Sequence, residues 1–429
     1  MENKLLDFQI ESHTDSIIKV IGVGGGGGNA VNHMFKEGIH NVSFALCNTD
    51  NQALTESPVP IKVQLGASTT GGLGAGNKPE IAKKAAEESV NLIEDLLNDG
   101  TRMVFVTAGM GGGTGTGAAP VIARIAKDIG VLTVGIVTIP FVFEGSRKIV
   151  QALKGVEEIA KNVDALLVIN NERLRDIYSD LTVLNAFAKA DDTLTTAAKS
   201  IAEIITVHGH VNLDFADVET TLKDGGVAIM SSGIGKGTDR INEAIKDALH
   251  SPLLNNNDVF SSKKILLNLC FGEGNPLMME EMNALHDFMS KFSNDIEVIW
   301  GAAVDETLKE EVKVTLLATG FTINNVPGIK EIKKEEYKVD EIQRKIEDEE
   351  LRKRELKDKE LIEKYYGKAG VESLSINNYM QEPFVLTIEE LDDDKVLEAL
   401  EKKPVFKRER SFNPRTYHAD VQQSTSLFD

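Results

Sequence analysis

Cysteine is nearly missing from this chain: Cys47 and Cys270 are the only two in 429 residues, and each lies within an apolar run. A disulfide-stapled fold is thereby excluded, and two free thiols in a reducing compartment are expected. No stretch of about 18 uninterrupted apolar residues occurs, so no membrane-spanning helix is expected. The opening MENKLLDFQIESHTDS is acidic and polar and lacks the basic-then-apolar plan of a secretion signal. Positive charge is in deficit, with 47 Lys and Arg against 67 Asp and Glu, a net charge of −20. That balance argues against nucleic acid as a partner, because such binding needs clustered cations that displace counterions. The G-x-x-x-x-G-K-[ST] phosphate loop is absent, as is any repeat with a period of 20–50 residues. The eight histidines are scattered; His208 and His210 in VHGH read as a loop, and no protein-held metal site is expected.

Glycine, by contrast, is concentrated. IGVGGGGGNAV, residues 21–31, sets five consecutive glycines directly after an apolar run. Such a run costs conformational entropy and buries nothing, so either tight helix packing or a close ligand must require it. Gly22, Gly24 and Gly27 satisfy G-x-G-x-x-G between strand and helix patterns, with Asp50 further on, which alone spells a dinucleotide turn. A second run, VFVTAGMGGGTGTGAAP, places Gly111, Gly112, Gly113, Thr114, Gly115, Thr116 and Gly117 between another strand and another helix. A third, GGLGAGNKPE, offers Gly74, Ala75, Gly76 and Asn77 ahead of a helix. One such turn serves a pyrophosphate; three converging turns suggest a triphosphate held by main-chain amides.

Apolar runs alternate with helical patterns through the first half of the chain, which predicts a doubly wound parallel sheet covered on both faces. IIKVIGV, VSFALCNTD, RMVFVTAG, VLTVGIVTIP and ALLVINN read as strands. Helices are expected over 29–38, 79–100, 115–128 and 145–162, then a long helical pattern over 172–207. GGVAIMSSG, KKILLNLCFG, IEVIWGAAV and VKVTLLATGF follow with only two helices between them, which predicts a smaller α+β domain. Residues 330–364 carry 13 acidic and 12 basic side chains, the composition of a solvated linker. Beyond it, KKPVFKRERSFNPRTYHAD interleaves basic and aromatic residues as a docking peptide would.

GGGTGTG is the tubulin signature. With GVGGGGGNAV, CNTDNQAL, GLGAGNKPE, PFVFEG and NLDFADV in the same order and spacing, the chain over about 15–321 resembles FtsZ, the family of bacterial tubulin homologues. The resemblance implies a GTPase that polymerises head to tail into protofilaments and forms the division ring at mid-cell, on the cytoplasmic face of the membrane. It implies a GTP-binding domain over 15–180 after an N-terminal extension (1–14), a bridging helix and loop over 181–214, and an α+β domain over 215–321. A charged linker (322–403) and a tail (404–429) that meets membrane-tethering adaptors and assembly regulators complete the plan.

By the same resemblance, Gly25, Gly26, Gly27, Gly28, Asn29, Asn48, Asp50, Gly74, Ala75, Gly76 and the run from Gly111 to Thr116 surround the GTP or GDP. Glu144 contacts the ribose, with Lys148 where relatives commonly carry arginine. Asn171 and Asp191 read guanine, and Phe187 stacks on it. Guanine's N1–H and N2 amine suit a carboxylate, and Phe187 and Asp191 stand four apart on one helix face. Taken alone, these two also fit core packing and a solvated face. Asp214 and Asp217 read by spacing as a helix N-cap and its capping-box partner; the family instead inserts this loop into the next subunit's nucleotide site, where the acids orient the attacking water. Mg²⁺ is expected on the phosphates, with a monovalent cation as a further candidate. The far C-terminus, QQSTSLFD, departs from the apolar-plus-basic peptide common in the family. Two other readings stay open on the sequence: a tubulin-like polymer serving DNA segregation, and a nicotinamide-dependent oxidoreductase using the first glycine turn.

Overall fold

The computed structural model describes residues 16–39, 41–178, 182–207, 209–211, 213–250, 259–292 and 296–322. The N-terminal extension, the charged linker and the tail lie outside the described residues. In chain order the elements are β1 (Ile18–Val23), α1 (Gly24–Glu37), β2 (Val42–Asn48), α2 (Asn51–Glu56), β3 (Ile61–Gln64) and α3 (Ala67–Thr70). Next come α4 (Pro79–Glu88), α5 (Val90–Leu97), β4 (Met103–Gly109), α6 (Thr114–Asp128), β5 (Leu132–Ile139), α7 (Ser146–Ala160) and β6 (Ala165–Asn170). Then follow α8 (Asn171–Ile177), α9 (Val183–Thr206), β7 (Gly209–Val211), α10 (Phe215–Leu222), β8 (Gly226–Gly235) and α11 (Arg240–Leu249). The last are β9 (Lys264–Phe271), α12 (Met282–Met289), β10 (Glu297–Val304) and β11 (Val312–Phe321).

All the described strands join one sheet in the order β3-β2-β1-β4-β5-β6-β8-β11-β9-β10-β7. From β3 to β6 every pairing is parallel. Alternate residues of β1 enter different layers: Ile18 and Val20 pack with α1 and α9, whereas Ile21 and Val23 pack with α4 and α6. A sheet wrapped on both faces explains the near-continuous apolar strands. Beyond β6 the sheet becomes mixed, because β11 runs antiparallel between β8 and β9.

Several local expectations are corrected. The first helix starts at Gly24 rather than residue 29, so the glycine run is its opening turn and not a loop before it. The helix expected over 79–100 is broken at Ser89, whose φ of −104° and ψ of 18° separate α4 from α5. The Ser89 hydroxyl there accepts from the Gly66 amide at 2.9 Å, so the break anchors the preceding loop. The VHGH stretch is not simply a loop, since Gly209–Val211 pairs as an antiparallel edge strand with β10; His208 lies outside the described residues. The short edge strand β3 and the helices α2 and α3 carry too little apolar pattern to be read from sequence. Cys47 is buried and Cys270 half-buried, and both are free. Burial pushes their thiols up to about 12 and about 11, so both stay protonated.

Candidate functional site

Strand order reverses between β1 and β4, and the crevice of a doubly wound sheet opens beyond the carboxyl ends of its strands at that point. Two helices, α1 and α6, begin there side by side. Neither has a side-chain cap, and neither carries an acidic residue in its first turn. Their first amides and positive dipole ends are therefore open to an anion.

The glycines of this crevice divide into two kinds. A Cβ on Gly27 would lie 2.3 Å from the Thr107 carbonyl oxygen, and one on Gly22 2.5 Å from that of Gly27. One on Gly115 would meet the Gly109 oxygen at 2.5 Å. These three are required by helix-on-strand packing. At Gly25, Gly28 and Gly112 a Cβ would meet no protein atom within 4 Å, and none of the three has a positive φ. Nothing in the fold excludes side chains there. The main chain they leave open is a candidate cradle for a ligand. Gly26 is intermediate, 3.2 Å from the Gly109 Cα, and Asn29 is exposed one helical turn on.

The other loops at this edge hold one another. The Thr49 and Thr114 hydroxyls meet at 2.7 Å, tying the end of β2 to the start of α6. Asn48 Oδ1 accepts from the Asp50 amide at 3.2 Å. Asp50 Oδ1 caps α2 by accepting from the amides of Gln52 and Ala53. Gly74 donates to the Thr49 carbonyl oxygen at 3.1 Å, and a Cβ on Gly113 would press on buried Ala75 at 3.1 Å. Gly76 and Gly111 have φ of 57° and 101°, conformations that favour glycine. The Thr116 hydroxyl is turned inward and accepts from the Gly111 amide at 2.9 Å, so it fixes the loop from beneath.

Farther along the same edge, Glu144 follows β5 and Asn171 follows β6. Glu144 accepts from the Phe141 amide at 2.9 Å through Oε1 and ion-pairs with Lys148 through Oε2. Asn171 is only 5% exposed, yet its Oδ1 is buried with no donor. A buried unpartnered acceptor is costly and calls for a donor from elsewhere. Phe187 is 39% exposed and meets Phe141 edge to face at 5.2 Å. Asp191, one turn beyond Phe187 on α9, has its carboxyl pushed up to about 6 by desolvation, with His33 opposing and Asp192 assisting the shift.

Asp214 and Asp217 stand elsewhere. They form a reciprocal capping box at the start of α10: Asp214 Oδ1 accepts from the Asp217 amide at 3.1 Å, and Asp217 Oδ2 from the Asp214 amide at 2.9 Å. Their neighbour Phe215 lies under the Arg102 guanidinium, 4.3 Å from the ring centroid. Arg102 precedes β4, whereas the glycine turn follows it. Seven residues of strand separate these ends, about 20 Å at ~3.3 Å per residue. The acids thus sit at the amino ends of the parallel strands and the cradle at their carboxyl ends. Among the described residues no group of three or more His, Cys, Asp or Glu could hold a metal ion, and no helix is long and apolar enough to cross a membrane.

Residues 17–179 match the Tubulin/FtsZ family GTPase domain, and residues 226–322 match the FtsZ family C-terminal domain. The cell division protein FtsZ of Porphyromonas gingivalis is 53% identical over 418 residues, which covers 95% of this chain and 89% of that protein. The chain belongs to the FtsZ family. Among solved structures, an empty FtsZ dimer of M. jannaschii superposes with a TM-score of 0.65 at 40% identity, covering 71% of this chain and 88% of that one. The GTPγS-bound CetZ2 protofilament of Haloferax volcanii has a TM-score of 0.62 at 20% identity, covering 71% and 94%, a likeness of fold alone. An FtsZ-family GTPase domain binds guanine nucleotide and hydrolyses GTP, so the oxidoreductase reading falls away.

Three contributors escaped sequence reasoning. His33 on α1 approaches Asp191 and Asp192, Gln151 on α7 donates to the Gly111 and Gly112 carbonyl oxygens at 3.0 and 3.1 Å, and Arg102 covers Phe215. Each acts across elements distant in sequence, which no local motif records.

Proposed function

We propose that GTP lies along the crevice with its phosphates on the open glycines of α1 and the Gly111–Gly113 turn, and that the next subunit of a head-to-tail polymer supplies Asp214 and Asp217. The observation that carries this reading is the placement of acids and cradle at opposite ends of β4, which bars one chain from joining them. An FtsZ dimer and a CetZ2 protofilament among the structural neighbours support the same arrangement.

Each group then has a task. Open amides of α1 and α6 bind the phosphate oxygens. The Asn171 Oδ1 acceptor and the Asp191 carboxylate take the guanine donors, while Phe187 packs on the base; adenine offers no such donor pair. Glu144 faces the ribose, its Oε1 already accepting from the Phe141 amide and its Oε2 held by Lys148. Mg²⁺ would be held mainly by the phosphates and would offset their charge, since Lys148, the cation packed against Gly111, is already paired with Glu144. The incoming carboxylates orient a water for attack on the γ-phosphate, and a monovalent cation is a candidate beside them. Until assembly these acids remain in their capping box, away from the nucleotide.

A polymer of this kind forms the division ring on the cytoplasmic face of the membrane at mid-cell. Its tail is the segment offered to membrane-tethering adaptors and assembly regulators. Cell division is favoured over DNA segregation because the relatives at 53% and 45% identity both bear the cell division name. The deciding experiment is GTP turnover per subunit as protein concentration rises. A steep increase above a threshold supports the shared site, and a constant rate from nanomolar concentration upward overturns it.

A further inference from the structure

On the outer face of the sheet, behind the second glycine turn, α4, α6 and α7 enclose a pocket of about 540 Å³. It adjoins the crevice described above, with Thr116 of the second glycine turn in its wall, and lies within the volume range of small-molecule sites. Its walls combine two chemistries. Pro79, Pro120, Val121 and Val150 supply apolar surface, while Lys78, Lys83, Arg124, Arg147 and Lys154 bring five cations against the two carboxylates of Glu80 and Glu158. In a chain of net charge −20 this is a positive island. Among the described residues Lys83, Arg124 and Arg147 have no carboxylate partner, whereas Glu158 is engaged by Lys161 at 3.0 Å.

Two further walls of the pocket are the fastenings of the glycine turn. Gln151 donates to the Gly111 and Gly112 carbonyl oxygens, and Thr116 accepts from the Gly111 amide. The Gly111 peptide is therefore held on both sides by residues that line the pocket. Gly117 and Gly155, also in its wall, are packed so closely that a Cβ would meet the Pro79 oxygen at 2.0 Å and Thr116 Cγ2 at 2.6 Å. Little slack separates an occupant from the turn.

We propose that this pocket is a regulatory site for a small amphiphilic organic anion, whose acid group pairs with Arg124 and Arg147 and whose flat apolar body lies on the proline–valine wall. Guanidinium pairs favour carboxylate or phosphate oxygens in a forked geometry that a bare cation does not offer. An occupant that fastens α7 to α6 also fastens Gln151 on the turn, so it raises nucleotide affinity and slows release; by linkage, bound nucleotide raises the anion's affinity by the same factor as the anion raises the nucleotide's. The coupling half of the proposal rests on the GTP site described above, and the binding half does not.

The test uses the full chain saturated with GDP and 2-naphthyl phosphate as the probe, with inorganic phosphate as the charge-only control. Titration calorimetry is expected to give a dissociation constant below about 1 mM for the naphthyl ester, at least tenfold tighter than for inorganic phosphate. The double variant Arg124→Glu, Arg147→Glu is expected to lose at least tenfold in probe affinity while retaining GTP turnover. Release of a fluorescent GDP analogue is expected to slow several-fold with probe in the wild type and not in the variant. Equal probe binding by the variant, displacement of the probe by GDP, or binding only above 1 mM overturns the site. Probe binding that leaves GDP release unchanged overturns the coupling. If an acidic peptide binds and the naphthyl ester does not, the small-anion assignment is wrong. A wild type with no GTP turnover at any concentration would refute the nucleotide reading and leave the calorimetric result standing.

Discussion

His33 on α1 reaches Asp192 on α9, Nε2 to Oδ1 at 3.2 Å, while its Nδ1 lies 3.1 Å from the Thr195 hydroxyl. Because that hydroxyl donates to the Asp191 carbonyl oxygen at 2.8 Å, it accepts from the imidazole. The helix that opens the phosphate cradle is thereby joined to the residue assigned to guanine. Desolvation holds the Asp191 carboxyl near 6, well above the ordinary carboxylate range. Guanine needs the ionised form, so nucleotide affinity should be full at pH 8 and fall as pH drops through about 6. Titrating a fluorescent GDP analogue between pH 5.5 and 8 checks this. Asp191→Asn should flatten the profile and cost roughly 2–3 kcal/mol of binding, the worth of a charged hydrogen-bond pair.

Stability should move the opposite way at the same position. A carboxyl whose pKa is raised in the folded protein favours folding while protonated and loses that contribution as pH climbs from the unfolded value of about 3.8 through about 6. The nucleotide-free Asp191→Asn protein should therefore melt a few degrees higher than wild type at pH 8 and by a clearly smaller margin at pH 4.5. Calorimetry at both values separates this from a general packing effect.

The two kinds of glycine predict opposite outcomes for the same substitution. Gly27→Ala forces a methyl into the Thr107 oxygen and should cost about 1–3 kcal/mol of stability, the usual penalty of overpacking. Gly25→Ala meets open space on a helix, where alanine gains up to about 1 kcal/mol over glycine. It should fold at least as well as wild type yet lose more than tenfold in GDP affinity. A Gly25→Ala protein that binds GDP normally would remove the reason given for that glycine.

The glycine runs show how much was legible in the sequence. Position after a strand and before a helix pointed to the carboxyl edge of the sheet, where both runs lie, because such runs mark close approach to main chain, by packing or by a ligand. Which glycines serve packing and which face open space depended on β4 and α6, and no spacing within 21–31 contains that information. The parallel sheet was readable because strands such as β1 are apolar on both faces, whereas β3 and β7 are too short to carry a pattern. Asp214 and Asp217 were read in two ways, and their geometry within one chain is the capping box. The catalytic role assigned to them requires a second chain, which explains why local spacing is silent about it.

Divided catalysis predicts complementation. Asp217→Ala should bind GTP as wild type does, lose hydrolysis and, with one half of the capping box gone, lose about 0.5–2 kcal/mol of stability. Gly28→Trp should fill the cradle and abolish nucleotide binding while its acids stay intact. Neither variant alone should hydrolyse GTP. Mixed at concentrations that support assembly, they should recover measurable turnover, since some contacts pair a loaded site with intact acids. No recovery despite co-assembly would count against division of the site.

Arg102 offers a finer test, because it touches neither nucleotide nor reacting atoms. Its guanidinium covers Phe215, the residue between the cap Asp214 and the first turn that carries Asp217. A cation–π contact of this kind is worth about 0.5–1 kcal/mol at an exposed site, enough to orient a short loop without holding up the fold. Arg102→Ala should lower kcat several-fold under assembling conditions while KM for GTP and the affinity for GDP remain unchanged, and Arg102→Lys should restore part of the loss. A loss of GDP affinity in Arg102→Ala would mean that disturbance travels along β4 to the glycine turn, and Arg102 would then act on nucleotide binding rather than on placement of the acids.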